Sequence, residues 1–123
     1  MNFFEVIKIC FTKKYFDFKG RASRSEFWLY VLFYYSFTAI LYIIGFKFNS
    51  DFIIGLGLLF YFIIGLIPFI SVTTRRLHDI NKTGFAQFIV LIPFLGILIL
   101  IIWCVTEGEK KKNFYGPPIK FKK

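Results

Sequence analysis

Acid is scarce in this chain of 123 residues, and so is most of the equipment of catalysis. Seven Asp and Glu stand against 16 Lys and Arg, with one histidine and two cysteines. Cys10 and Cys104 lie far apart, with no Cys-x-x-Cys and no metal-ligand spacing, so neither a disulfide framework nor a zinc site is expected. The lone His78 has no second histidine and no nucleophilic Ser or Cys nearby; the balance is against an enzyme, and no cofactor or metal is expected. The first ten residues carry Glu5 and Lys8 and lead to no small-residue cleavage site, so no removable signal peptide is expected.

A further absence decides the fold class. Asp, Glu, Lys, Arg and His are missing from three windows, Phe27 to Phe46, Phe52 to Val72 and Phe85 to Val105, of 20, 21 and 21 residues. At ~1.5 Å per residue such a window reaches roughly 31 Å, the thickness of the hydrocarbon layer. Three core helices of a soluble protein are the rival reading. It fails because a chain this short, 57% hydrophobic, has no polar layer left to cover them. The expected fold is all-α: a polytopic helical membrane protein with three transmembrane helices preceded by an N-terminal amphipathic interfacial helix. As one membrane domain over residues 1–123, it divides into the interfacial helix (1–20), spans at 27–46, 52–72 and 85–105, and a polar tail (106–123).

Within residues 1–20, Phe3, Phe4, Ile7, Phe11, Tyr15 and Phe18 recur at helical intervals among lysines. That spacing suits a helix in the headgroup plane, or one packed against the ends of the spans. Gly20 is placed to end it, Ser23 to N-cap the next helix, and Glu26, three residues on, to complete a capping box. Phe27, Trp28 and Tyr30 form an interfacial aromatic belt. The short turn from Lys47 to Asp51 makes the first two spans an antiparallel hairpin, and Gly57 and Gly65 lie on one face of the second. Pro68 and Pro93 free the carbonyls of Ile64 and Ile89, which reads as two packing kinks.

The net charge of +9 lies outside the three windows. There it sets topology and attracts anionic headgroups, and no aromatic and basic platform suggests nucleic acid. With three spans, nine Lys and Arg fall on the N-terminal side and seven on the other. This narrow margin gives an N-in, C-out expectation, which a re-entrant segment around Pro93 and Gly96 would reverse for the tail.

Between the second and third windows lies Thr73-Thr74-Arg75-Arg76-Leu77-His78-Asp79-Ile80-Asn81-Lys82-Thr83-Gly84. On a continuing helix Arg75, His78 and Asp79 share one side. Taken with FKGRASRSEFWLYVLF at Phe18 to Phe33, LIPFLGILILI at Leu91 to Ile101 and NFYGPP at Asn113 to Pro118, this stretch resembles domain-of-unknown-function family 805. Many members of that family run through a Pro- and Gly-rich stretch where this chain has EGEKKK, so the tail departs from the pattern. The resemblance implies a helical, multi-pass protein of the bacterial cytoplasmic (inner) membrane, and no established activity. On its motif positions the candidate site residues are Arg21, Arg24, Glu26, Arg75, Arg76, His78 and Asp79, with Gly20, Trp28 and Gly84 as structural positions.

Two functions compete. In the first, the charged motifs meet at one face of the bilayer and bind anionic phospholipid or a protein partner, which includes a membrane protein or a second copy of the chain. There Glu26 pairs with Arg75 or Arg76, and Arg21 or Arg24 with Asp79; such pairs alone would also staple the helix ends together. In the second, an enzyme or carrier holds a phosphate-containing lipid on Arg75 and Arg76 while His78 and Asp79 exchange a proton. A transporter fits less well, since no ionisable side chain marks a path through the spans.

Overall fold

A computed structural model describes residues 2–118. Their order is α1 (Phe3–Phe11), α2 (Arg24–Lys47), α3 (Asp51–Leu59), a π-helical turn (Phe60–Ile64), α4 (Leu66–Asp79), a 3₁₀ segment (Gly84–Leu91) and α5 (Leu95–Val105). From α3 through α4 the chain runs as one helix of 29 residues, beside the 24 of α2. At ~1.5 Å per residue the two reach roughly 43 and 36 Å, and both are apolar and long enough to cross a membrane. Large side chains stand exposed along them, among them Ile40 and Ile43 on α2 and Phe52 and Phe62 on the longer helix, as a lipid-facing surface requires.

The hairpin between them closes tightly at glycine. A Cβ on Gly45 would come 2.6 Å from Ile54 Cγ1, and Gly57 and Gly65 face Tyr42 and Tyr34 of α2, as their spacing predicts. Two tyrosine hydroxyls satisfy carbonyls that the irregular ladder leaves free, and a third adds to one that Phe69 N–H already serves. In the π turn the Gly65 amide reaches Phe60 O, and Tyr34 donates to the bypassed carbonyl of Tyr61 at 2.5 Å. Pro68 has no N–H for Ile64 O, and Tyr15 donates to that carbonyl at 2.8 Å. Tyr30 donates to Gly65 O at 2.8 Å.

Asn2 and Glu5 form a capping box at the start of α1, and Val6 and Cys10 are buried beneath that helix. Phe11 sets its ring against Tyr30, Phe33 and Phe60, so α1 is packed on the bundle. The helix expected to run to Gly20 ends at Phe11. Beyond it the backbone is engaged by α4: Lys14 O accepts from Ser71, Asp17 O from Arg75, and Gly20 O lies 2.9 Å from His78 Nδ1. Ser23 caps α2 as expected, but the capping box is half formed, because the Glu26 carboxylate turns to Arg75 instead of the cap.

The third window departs most from expectation. Residues 85–105 do not form one helix: the 3₁₀ segment and α5 are separate arms joined at Ile92 to Phe94. Phe94 has φ 62° and ψ −59°, and Leu95 N–H donates to Pro93 O at 2.6 Å, which is a γ-turn. Gly96 lies so close to the Ile89 carbonyl that a Cβ would overlap it. At ~2.0 and ~1.5 Å per residue, arms of eight and 11 residues each reach roughly 16 Å, about half the hydrocarbon layer. The chain therefore returns to the end it left: Arg24 donates to Val105 O at 3.3 Å, and Glu109 N–H to Asp79 O at 2.8 Å.

Candidate functional site

Every residue from Ser71 to Asp79 is buried, although this stretch of α4 holds two threonines, two arginines, a histidine and an aspartate. A helix polar on all sides is buried only if each side meets polar partners. Here the partners come from the 12–23 segment, from α2, from the end of α5 and from the tail.

Arg75 places Nη1 on the Glu26 carboxylate and donates from Nε to Asp17 O at 3.1 Å. Lys14 Nζ stands 3.8 Å from the other Glu26 oxygen. Arg75 O accepts from Ala22 N–H at 3.0 Å, so the GRASRSE stretch is held through side chain and backbone. The second terminal nitrogen, Nη2, is buried without a hydrogen-bond partner among the described residues.

Arg76 binds the neighbouring turn and the hairpin together. Nη1 donates to Asp79 Oδ2 at 2.6 Å and to Ala22 O at 3.0 Å, Nε to Cys104 O at 3.0 Å, and Nη2 to Thr106 O. Cys104 O belongs to the last turn of α5, which has no helical partner, so the guanidinium caps that helix and meets the negative end of its dipole. Exposed Arg24 adds to this cap through Val105 O. Arg21 takes the other Asp79 oxygen, Oδ1, at 2.8 Å, and its remaining donors reach the carbonyls of Asp79, Glu109, Lys111 and Gly116.

Of the pairings the sequence suggests, Glu26 with Arg75 and Arg21 with Asp79 form, and Arg24 with Asp79 does not. Nor does Asp79 join Arg75; its partner on α4 is Arg76, three residues back. His78 has Nδ1 2.9 Å from Gly20 O and 3.2 Å from Lys19 O. Facing two acceptors, Nδ1 must carry the proton. The ring stacks on Tyr115 with centroids 3.8 Å apart and planes within 2°. Gly20 thus contributes a carbonyl, Gly84 permits contact with Thr74, and half-buried Trp28 packs edge-on against Phe27.

The tail is the part that sequence reasoning missed. Instead of standing apart as a polar tail, residues 106–118 fold over the end of α4; residues 119–123 of the expected tail lie outside the described residues. Asn113 Nδ2 donates to His78 O at 3.0 Å, Tyr115 covers the imidazole, and Gly108 sits so close to the Asp79 carboxylate that a Cβ would overlap it. The available signal was the Asn-Phe-Tyr-Gly stretch, with turn residues flanking an aromatic ring.

A groove of about 520 Å³ opens beside this cluster. Its lining comes from Phe18, from Ile70, Thr74 and His78 of α4, from residues 83–85, 87 and 88, and from Tyr115. Gln87 donates to Thr74 Oγ1 at 2.9 Å and to Gly84 O at 3.0 Å across its floor. In α1, burial, with Glu26 adding to it, pushes the Cys10 thiol up to about 11, and no group of three or more potential metal ligands occurs among the described residues.

Charge is segregated along the bundle. Lys8, Lys13, Lys14, Lys19, Arg21, Arg24, Arg75, Arg76, Lys82 and Lys110 to Lys112 lie in the half that holds the cluster, and Lys47 alone lies at the opposite turn.

The model of the family described as "Protein of unknown function (DUF805)" matches residues 15–117. Similar proteins include inner membrane protein YhaI of Escherichia coli strain K12, 34% identical over 113 residues, covering 89% of this chain and 91% of YhaI. Inner membrane protein YhaH of the same strain is 34% identical over 110 residues, covering 88% and 91%. No solved structure matches the chain.

Proposed function

Since the chain belongs to DUF805, a family of integral membrane proteins without an assigned activity, we propose a role from its own geometry: a non-catalytic, multi-pass protein of the bacterial cytoplasmic membrane that binds anionic phospholipid at its basic end. In this reading α2 and the Asp51–Asp79 helix span the bilayer, residues 84–105 form a re-entrant hairpin, and both ends of the described chain face the cytoplasm. The observation that carries it is the charge placement. Of 13 Lys and Arg among residues 2–118, all but Lys47 lie at one end. Short flanks rich in Lys and Arg stay inside, and each such residue near an anionic surface contributes roughly 1 kcal/mol.

Within that end the labour divides. Arg21, Arg75 and Arg76 are buried and bound to Glu26, Asp79 and backbone carbonyls, which supports a clasp holding the fold. The exposed side chains at this end, Lys8, Lys13, Lys19, Arg24 and Lys110 to Lys112, are the ones that can meet headgroups. An enzyme or carrier for a phosphate-containing lipid would need Arg75 and Arg76 to hold phosphate. Their burial and internal partners argue against it.

Lipid retention in native mass spectrometry tests the proposal. Anionic lipid should be held in preference to zwitterionic lipid, and replacing Lys110, Lys111 and Lys112 with Gln should weaken that preference without unfolding the protein. Equal retention of both lipid classes by the unaltered protein would refute it. A C-terminal fusion to alkaline phosphatase should be inactive, and to green fluorescent protein bright; the reverse pair rejects the topology.

A further inference from the structure

The groove beside His78 has a polarity that runs along α4. His78 and Tyr115 form one end, Thr74 and Gln87 the middle, and Ile70 and Phe88 the other. From His78 back to Ile70 is eight residues, roughly 12 Å at ~1.5 Å each, and the direction is from the charged end toward the apolar half. Phe85 and Phe88 are 79% and 59% exposed, so its flank is continuous with the lipid-facing surface. The volume is that of a small-molecule site.

Its polar end has a specific hydrogen-bonding character. His78 Nδ1 is engaged as a donor to the Gly20 and Lys19 carbonyls, so in the neutral ring Nε2 is an acceptor, and it has no partner among the described residues. Both described bonds of Gln87 use its Nε2, which leaves Oε1 as a second acceptor. His78 is 5% exposed as a residue and lines the groove, yet Nε2 is not among the buried atoms left without a partner, so this acceptor is open to a ligand's donor. Two acceptors ask for a ligand whose head carries donors. Lys19, exposed and the chain neighbour of the lining residue Phe18, brings positive charge to the same end, whereas Lys82 Nζ lies 4.8 Å from the ring centroid of Trp103, outside the lining.

We propose that this groove is a lipid site selective for an anionic phospholipid with a hydroxylated headgroup, of the phosphatidylglycerol class. The headgroup hydroxyls donate to His78 Nε2 and Gln87 Oε1, the phosphate lies toward Lys19, and one acyl chain follows the groove past Thr74 to Ile70 and Phe88. This inference rests on the anionic-lipid reading above and adds a site and a headgroup to it.

The test is a competition on the full-length protein, delipidated in detergent and offered equal amounts of phosphatidylglycerol, phosphatidic acid and phosphatidylcholine of matched chains, with retention read by native mass spectrometry. One phosphatidylglycerol should be retained about fivefold more often than phosphatidic acid, the selectivity that roughly one net hydrogen bond supplies. Gln87→Leu removes one of the two acceptors and should lower that selectivity while anionic lipid stays preferred over phosphatidylcholine. Ile70→Trp, which fills the apolar end and leaves the clasp untouched, should lower retention of all lipids at this site, with folding checked by circular dichroism. Equal retention of phosphatidylglycerol and phosphatidic acid by the unaltered protein overturns this inference alone. Loss of any preference over phosphatidylcholine overturns the broader reading as well. Unchanged selectivity in a folded Gln87→Leu protein also overturns the site.

Discussion

Arg21 and Asp79, 58 residues apart in the chain, meet at 2.8 Å in a buried ion pair, and the same carboxylate binds Arg76 through its other oxygen at 2.6 Å. One carboxylate thus bridges two guanidinium groups, offsetting one of their two charges, and together the arginines also bind the carbonyls of α5 and the tail. The clasp depends on it more than on any single arginine.

Asp79→Ala leaves Arg21 and Arg76 buried without that counter-charge. Breaking a buried pair by removing one partner costs about 3–5 kcal/mol, because the remaining charge stays desolvated. Thermal unfolding of the detergent-purified protein should show a large fall in apparent Tm. A smaller fall for Lys110→Ala, whose pair with Glu107 is exposed, is the control. Equal effects would show that the buried pair has no special weight.

Gly108→Ala should detach the tail without disturbing the spans. The added methyl overlaps the Asp79 carboxylate, and small-to-large changes at packed positions cost about 1–3 kcal/mol. Hydrogen exchange should accelerate at Glu109, whose amide is bonded to Asp79 O, and stay slow within α2. Protection at Glu109 equal to that of the unaltered protein would contradict the packing described for Gly108.

Phe94→Gly should stabilise the protein. Phe94 holds φ 62° at the tip of the hairpin and is 85% exposed, so the substitution relieves backbone strain and removes little packing. A left-handed non-glycine residue costs roughly 1–2 kcal/mol. A rise of a few degrees in apparent Tm is the expected reading; a fall would show that the ring anchors the tip in the bilayer.

Cys10 should resist alkylation. Its thiol is fully buried and pushed up to about 11, so the thiolate, the reactive form, is lost as pH falls below that value and is rare at pH 7. Maleimide should fail to label Cys10 in the folded protein at pH 7 or pH 8 and should label it after denaturation in SDS. Fast labelling of the folded protein would show that α1 does not stay packed on the bundle.

The motifs carry much of the site on their own. Ser23 is followed by a charge-free helical window, and the polar turn from Lys47 to Asp51 forces the next window back beside it. GRASRSE and RRLHD must then share one end, which makes the pairing of Glu26 with an arginine legible from the order of the residues alone. What stays hidden is which arginine. Arg21 and Arg24 are the same residue type three positions apart, and only the path of residues 12–23 across α4 buries the first against Asp79 and leaves the second at Val105.

Local sequence thus determined two apolar helices, their hairpin and the meeting of the charged motifs, because each rests on contacts between chain neighbours or on burial of a continuous apolar run. It did not determine the third window. Residues 85–105 are as apolar as a span, and Pro93 and Gly96 read equally well as a kink. The reversal rests on a contact between Gly96 and the carbonyl of Ile89 and on Arg24, Arg76 and Asp79 holding the returning chain. Those are tertiary bonds, and they turn a charge division of nine against seven into one in which Lys47 alone, among the described residues, stands apart.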